Sequence, residues 1–142
     1  MVAKLNIEEV VYTARTHTTG GRDHDASRSS DGLLDVKLAN PGEIRIGTTP
    51  EQLFAAGWSA SFESAIALAA SNSKIALGEI TIDAEVGLHL TDGTDYFLSA
   101  HLFISIPGID HALAQKLVRQ AEQLCPYSKA TRGNINVTLK VL

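Results

Sequence analysis

The sequence predicts an α+β fold in a single domain, ordered as three strands, a helix, two strands, a helix and a strand, with a largely antiparallel sheet covering buried helices. Three observations predict it. The stretch Thr49 to Asn72 carries helix-start signals and almost no charge. Two runs, Glu79 to Leu90 and Tyr96 to Ile106, alternate apolar and polar residues on either side of Thr91-Asp92-Gly93-Thr94. Beyond Asp110, apolar residues recur at helical spacing until Cys125-Pro126. With 142 residues, 44% of them apolar, the chain has enough material for one core, which places a single domain over 1–142.

Glu8 to Thr18 alternates β-branched and aromatic residues and reads as a strand. Gly20-Gly21 permits a sharp turn, Ala26 to Ser30 reads as a second strand, Asp31-Gly32 as a two-residue hairpin, and Leu33 to Leu38 as the return strand. Ala39 to Thr48 is then a loop feeding the central helix. Thr49 can cap that helix, Pro50 suits its first position, and Gln52 stands where a capping-box partner belongs. From Gln52 to Ala70 the only formal charge is Glu63, so the helix is apolar around its circumference and is expected to be buried. A membrane span is rejected, because the run is built of Ala, Ser and Gly with a carboxylate in its middle. Its small side chains invite a sheet on one side and a second helix on the other, from this chain or from another subunit. In the hairpin that follows, Ile80, Ile82, Ala84, Val86, Leu88 and Leu90 share one face, with the wet residues opposite. Asp110 can cap the second helix, whose apolar stripe includes Leu117, Val118, Ala121 and Cys125; Pro126 stops it. Ile135 to Val141 alternates as a last strand.

A net charge of −4 and a pI near 5.7 leave no excess of Lys and Arg to neutralise phosphates, so neither nucleic acid nor an anionic membrane is expected as a partner. The first residues have no apolar run suited to a signal peptide, and the cytoplasm is the expected location. One cysteine excludes an internal disulfide and a cysteine-built zinc site. The five histidines, His17, His24, His89, His101 and His111, show no metal-ligand spacing, and no metal site is expected. No dinucleotide or P-loop glycine pattern occurs.

Each candidate site residue has an ordinary structural explanation beside a functional one. Arg22, in Thr19-Gly20-Gly21-Arg22-Asp23, is either a solvated side chain at a hairpin tip or a guanidinium presented to an anion or thiolate. Glu51 suits a helix N-terminus on dipole grounds, but it could also orient an arginine. A buried Glu63 would need a partner. Cys125 on an apolar face is either core or a working thiol. Ser61 lies mid-helix with no evident histidine base.

Taken together, Thr19-Gly20-Gly21-Arg22-Asp23, Thr49-Pro50-Glu51-Gln52-Leu53-Phe54-Ala55-Ala56-Gly57-Trp58 and Cys125-Pro126-Tyr127-Ser128-Lys129-Ala130-Thr131-Arg132-Gly133-Asn134-Ile135 resemble the organic hydroperoxide resistance (Ohr) proteins of the OsmC superfamily. The resemblance covers nearly the whole chain. It implies antiparallel sheets wrapped around long central helices in an intertwined homodimer, with two active sites at the subunit interface. It also implies a peroxidase in which a thiolate attacks an organic hydroperoxide of lipid type, becomes a sulfenic acid and is captured as a disulfide. No bound cofactor is implied; dihydrolipoamide or a lipoylated protein is the implied reductant. By resemblance Cys125 matches the resolving cysteine, Arg22 the thiolate-stabilising arginine and Glu51 its carboxylate partner.

The pattern breaks at one atom. The peroxidatic cysteine would follow Ser59-Ala60, and this chain has Ser61 there. A cysteine starts near pKa ~8.5 and a nearby cation can ionise it, whereas a serine hydroxyl is far less acidic. The expectation is a Cys-to-Ser variant, an Ohr-type site without turnover. Leu53, Phe54 and Phe62 are candidates for a substrate wall, with ordinary core as the alternative. A dimeric, non-catalytic binding protein for a lipid or acyl ligand is the rival function, and a purely structural dimer module a third. In a continuous helix, Glu51 and Ser61 lie ~15 Å apart along the axis, so either the helix breaks near Gly57 or the carboxylate beside a given Ser61 comes from the other subunit.

Overall fold

The computed structural model describes residues 9–21 and 25–142, whose contacts form two compact units divided at Pro50 and Glu51. In the first unit, β1 (Thr16–Thr18), β2 (Ala26–Ser29) and β3 (Asp35–Lys37) form an antiparallel meander, with His17 opposite Arg28 and Ser27 opposite Val36. The meander follows the sequence expectation, but all three of its strands are shorter than expected, the middle one by a single residue. Residues 9–15 of the expected first strand join no ladder, although the Ser30 amide reaches the Arg15 carbonyl at 2.9 Å. Val10, Val11 and Tyr12 stand exposed, because an alternating sequence becomes a strand only where an edge accepts it. Glu8, where that strand was expected to begin, lies outside the described residues.

The Asp31-Gly32 turn is also wider than a two-residue hairpin. Asp31 Oδ1 accepts from the Ser29 hydroxyl at 2.6 Å and from the Leu33 amide at 3.0 Å, so local side-chain bonds close the turn beyond the backbone bond from the Ser29 amide to the Leu34 carbonyl at 2.8 Å. The Ser29 hydroxyl, followed by the Leu33 amide, holds the Asp31 carboxyl below the usual aspartate value. The turn is therefore favoured above the ordinary carboxylate range and loosens as pH falls through the depressed value.

The second unit opens with α1 (Pro50–Asn72), an unbroken helix. By length and composition alone it could cross a membrane. Its inner face instead supplies Trp58, Phe62, Ala65 and Ile66 to the core of this unit. The expectation that it is buried all round is corrected for the single chain: Ala60, Glu63, Ser64 and Ala67 are exposed, and Leu68 is 50% exposed. Glu63 therefore carries no burial penalty that would demand a partner.

Against α1 lies a sheet ordered β4-β5-β6, formed by Thr81–Thr91, Asp95–Ser105 and Asn136–Val141. The antiparallel register pairs Ile82 with Ile104 and Ala84 with Leu102, which puts the alternating apolar set on the core face. β6 pairs parallel to β5, Leu139 opposite Leu102. Parallel neighbours need a crossover, supplied here by α2 (His111–Leu124) and a short α3 (Pro126–Thr131). On the opposite face, His89 stacks on Phe97 and His101 on Phe103, well apart along the hairpin, so the two histidines do not meet.

Asp110 caps α2 by accepting from the Leu113 amide at 2.8 Å, as its sequence position suggested. Asp110→Ala is expected to cost about 1 kcal/mol in urea unfolding, the usual value of an N-cap side chain.

Candidate functional site

Helix α1 and the α2–α3 junction bring together two residues separated by sixty-four positions. Ser61 Oγ lies 3.5 Å from Cys125 Sγ, in hydrogen-bond contact with either group able to donate. Ser61 is half-buried, and Cys125 is a free thiol with no exposed surface. Cys125 occupies the joint between two helices: its amide donates to the Ala121 carbonyl at 2.8 Å to end α2, and its carbonyl accepts from the Lys129 amide at 3.0 Å to begin α3. Pro126 stops the first helix and, with its fixed φ and missing N–H, suits the first turn of the next. The expected stop was legible in the sequence, while the restart was not drawn from it.

One helical turn away, the same elements touch again. The Trp58 indole N–H donates to Ser128 Oγ at 3.4 Å, with both residues buried. Phe54 packs edge-on against Trp58 at 5.5 Å and against Tyr127 at 6.1 Å between ring centroids. Phe54 and Leu53 are half-buried, whereas Phe62 has no exposed surface and packs in the core of its unit. Gly57 explains the close approach of α3: a Cβ at this position would lie 2.6 Å from the Tyr127 hydroxyl. A glycine in the middle of a helix costs about 1 kcal/mol relative to alanine, and that cost was the available sequence signal for this contact. Gly57→Ala is therefore expected to yield no stability with Tyr127 in place, but to stabilise by about 1 kcal/mol in a Tyr127→Ala background, read by urea unfolding.

Glu51 sits in the first turn of α1, half-buried. Because α1 is continuous through Gly57, Glu51 and Ser61 stand on one rod, ~15 Å apart on its axis. The structure does not bring these two side chains of one chain together. Arg22 lies outside the described residues. The base of its loop is described within the first unit: the Thr19 hydroxyl donates to the Asp25 carboxylate, and the Thr19 amide reaches the Ala26 carbonyl at 3.1 Å. Gly20 and Gly21 adopt φ of +70° and +57°, the left-handed conformations that the Gly-Gly pair was expected to supply. Among the described residues, no group of three or more His, Cys, Asp or Glu side chains is placed to hold a metal ion.

A second feature of α1 is a groove of about 700 Å³ along its exposed side, lined by Ala60, Glu63, Ser64, Ala67 and Ser71 among others. It belongs to the helix face that this chain leaves uncovered.

Comparison with known proteins places this arrangement among others. Residues 40–140 match the OsmC-like protein family. The chain is 48% identical over 137 residues to an organic hydroperoxide resistance protein of Xanthomonas axonopodis pv. citri, covering 93% of this chain and 95% of that one. Among solved structures, an organic hydroperoxide resistance protein of Legionella pneumophila superposes with a TM-score of 0.88 at 40% identity, covering 94% and 98% of the two chains. OhrB of Bacillus subtilis does so with a TM-score of 0.88 at 35% identity, covering 94% and 100%.

Proposed function

The chain belongs to the OsmC/Ohr family, and from that premise we propose that it is the scaffold of a homodimeric thiol peroxidase for organic hydroperoxides of lipid type, held inactive by Ser61. The observation that carries the reading is the 3.5 Å approach of Ser61 Oγ to Cys125 Sγ. With a sulfur at position 61, a small side-chain movement spans the remaining gap to a disulfide bond of ~2 Å.

In the Ser61→Cys form, the thiolate at position 61 attacks the distal peroxide oxygen. The O–O bond breaks, the alcohol leaves with a proton, and a sulfenic acid remains. The Cys125 thiol then displaces water from that sulfenic acid, forming a disulfide between positions 61 and 125. A dihydrolipoyl group, free or protein-bound, reduces the disulfide by exchange and leaves as the cyclic lipoyl disulfide. Arg22 favours the thiolate and Glu51 fixes the guanidinium. Because Glu51 is far along the axis from its own Ser61, the partner subunit supplies the carboxylate, and the dimer completes each site. Leu53 and Phe54, half-buried beside this region, form part of the substrate wall. Phe62, wholly buried, belongs to the core.

Three exposed surfaces support the dimer: the small-residue groove along α1, the Val10-Val11-Tyr12 segment, and Leu88, Leu90 and Tyr96 at the hairpin end. The setting proposed is the cytoplasm, where lipoylated enzyme complexes supply electrons. The test is Ser61→Cys, assayed for consumption of an alkyl hydroperoxide with dihydrolipoamide. Turnover supports the reading, and a folded dimer with none overturns it in favour of a lipid- or acyl-binding protein.

A further inference from the structure

We propose that Trp58 and Ser128 are positioning residues that set the distance between position 61 and Cys125, and hence how readily those two positions close a disulfide. The inference rests on the peroxidase reading for its purpose and on geometry for its content. Trp58 and Ser61 are three residues apart on α1, and Cys125 and Ser128 three apart across the start of α3, so each pair shares a helix face. The contacts 58 to 128 and 61 to 125 are thus two rungs, one turn apart, between the same two elements.

The outer rung, from Trp58 to Ser128, takes no part in the reaction between positions 61 and 125, so together with the contact of Phe54 with Tyr127 it can hold the elements while those positions react. Cys125 is the N-cap residue of α3, and no side-chain bond of its own caps that helix. Its amide is held by the Ala121 carbonyl of α2 and its carbonyl by the Lys129 amide of α3, so α3 is one of the two elements that set its place. Trp58 has no exposed surface, so its indole N–H gains nothing from water and must find an acceptor inside; Ser128 Oγ, on a residue 5% exposed, is that acceptor. A hollow of about 160 Å³, lined by Trp58, Ser128, Thr131 and Val137 among others, lies beside the bond. Tyr127 packs closely over Gly57, so the two helices also meet there.

The experiment uses the full-length Ser61→Cys chain equilibrated with reduced and oxidised glutathione, which needs no hydroperoxide activity. One oxidised glutathione and the dithiol of positions 61 and 125 exchange to give the protein disulfide and two reduced glutathiones, and the equilibrium constant is the effective concentration of one sulfur at the other. Trp58→Phe, which keeps an aromatic ring and removes the donor, and Ser128→Ala are each expected to lower it about threefold to tenfold, the range for one neutral hydrogen bond. The double variant should fall no further than either single one, and Ser128→Thr should restore most of the loss. Ser59→Ala, which removes only a hydroxyl bonded to the Ala55 carbonyl of the same helix, serves as the control and should shift the constant less than about twofold.

An unchanged constant in Ser128→Ala, or strictly additive losses in the double variant, overturns the proposal. Ser128→Ala leaves every aromatic ring in place and carries the test alone should Trp58→Phe fold poorly. In the same chains, a looser outer rung slows disulfide closure and leaves the sulfenic acid open to a second hydroperoxide, which oxidises it to sulfinic acid and leaves as the alcohol. The sulfinic fraction, read by mass spectrometry, should rise with the loss in effective concentration. Should Ser61→Cys show no turnover at all, the peroxidase reading fails while the glutathione equilibrium still decides the positioning role.

Discussion

Ser61→Cys is expected to raise the rate of alkyl hydroperoxide consumption about 10³-fold or more over the parent chain, in the presence of dihydrolipoamide and at neutral pH. The size of the effect follows from the element exchanged. A thiol ionises near pKa ~8.5, so an adjacent cation can make it substantially thiolate at neutral pH, while no such neighbour makes an alkyl hydroxyl an alkoxide. Oxygen also lacks the second half of the cycle, because serine has no counterpart of a sulfenic acid that Cys125 could capture. The geometry for that capture is already present, with Oγ 3.5 Å from Sγ and the thiol wholly buried from bulk water. Adding Cys125→Ser to Ser61→Cys, with one equivalent of hydroperoxide and no dithiol, should permit a single round of peroxide reduction per site that ends at the sulfenic acid, read as a stoichiometric burst without steady-state turnover. A burst of equal amplitude in the parent chain would show that Cys125 by itself attacks peroxide and would remove the role given to position 61.

How far the sequence foretold this site depends on where each side chain gets its position. Ser61 and Cys125 were legible as a pair through the family resemblance, because both sit on or beside long helices with strong boundary signals, Thr49-Pro50 and Asp110 at the starts and Pro126 at the stop. The β4–β5 register was legible for a similar reason, since a shift of one residue would turn Ile82, Ala84 and Val86 toward water. The parallel pairing of β6 was not, because alternation specifies a buried face and leaves direction to the crossover helices. The long first strand was overread for a related reason: Val10, Val11 and Tyr12 have the right residue types, but strand formation belongs to a pairing edge rather than to the segment itself. Burial of α1 on all sides was inferred from composition, which reports what a helix tolerates, and the single chain covers only the face carrying Trp58, Phe62 and Ile66. The bond between Trp58 and Ser128 had no sequence signal of its own, being a meeting of two residues seventy positions apart that only the folded chain creates.

Phe62→Ala is expected to destabilise the fold by about 3–5 kcal/mol, the range for truncating a buried aromatic side chain. Phe62 follows Ser61 directly, yet the helix turns it onto the face packed in the core with Leu102, Ile104 and Ala114, and it has no exposed surface. Its removal leaves a cavity among side chains held by strands and helices, which can collapse only partly, so the loss includes the cavity as well as the transfer free energy. At a urea slope of about 1–3 kcal/mol per molar, the unfolding midpoint should fall by more than about 1 M. Phe54→Ala gives the contrast. Phe54 is half-buried and touches Trp58 and Tyr127 edge-on, so its truncation should cost about 1–2 kcal/mol and, in the Ser61→Cys chain, should raise KM for bulky hydroperoxides more than for small ones. The two substitutions thus separate a residue that holds α1 against the sheet from one proposed to face the ligand. A small stability loss for Phe62→Ala with a large rise in KM would return Phe62 to the substrate wall and place the pocket on the inner side of α1 rather than beside Phe54.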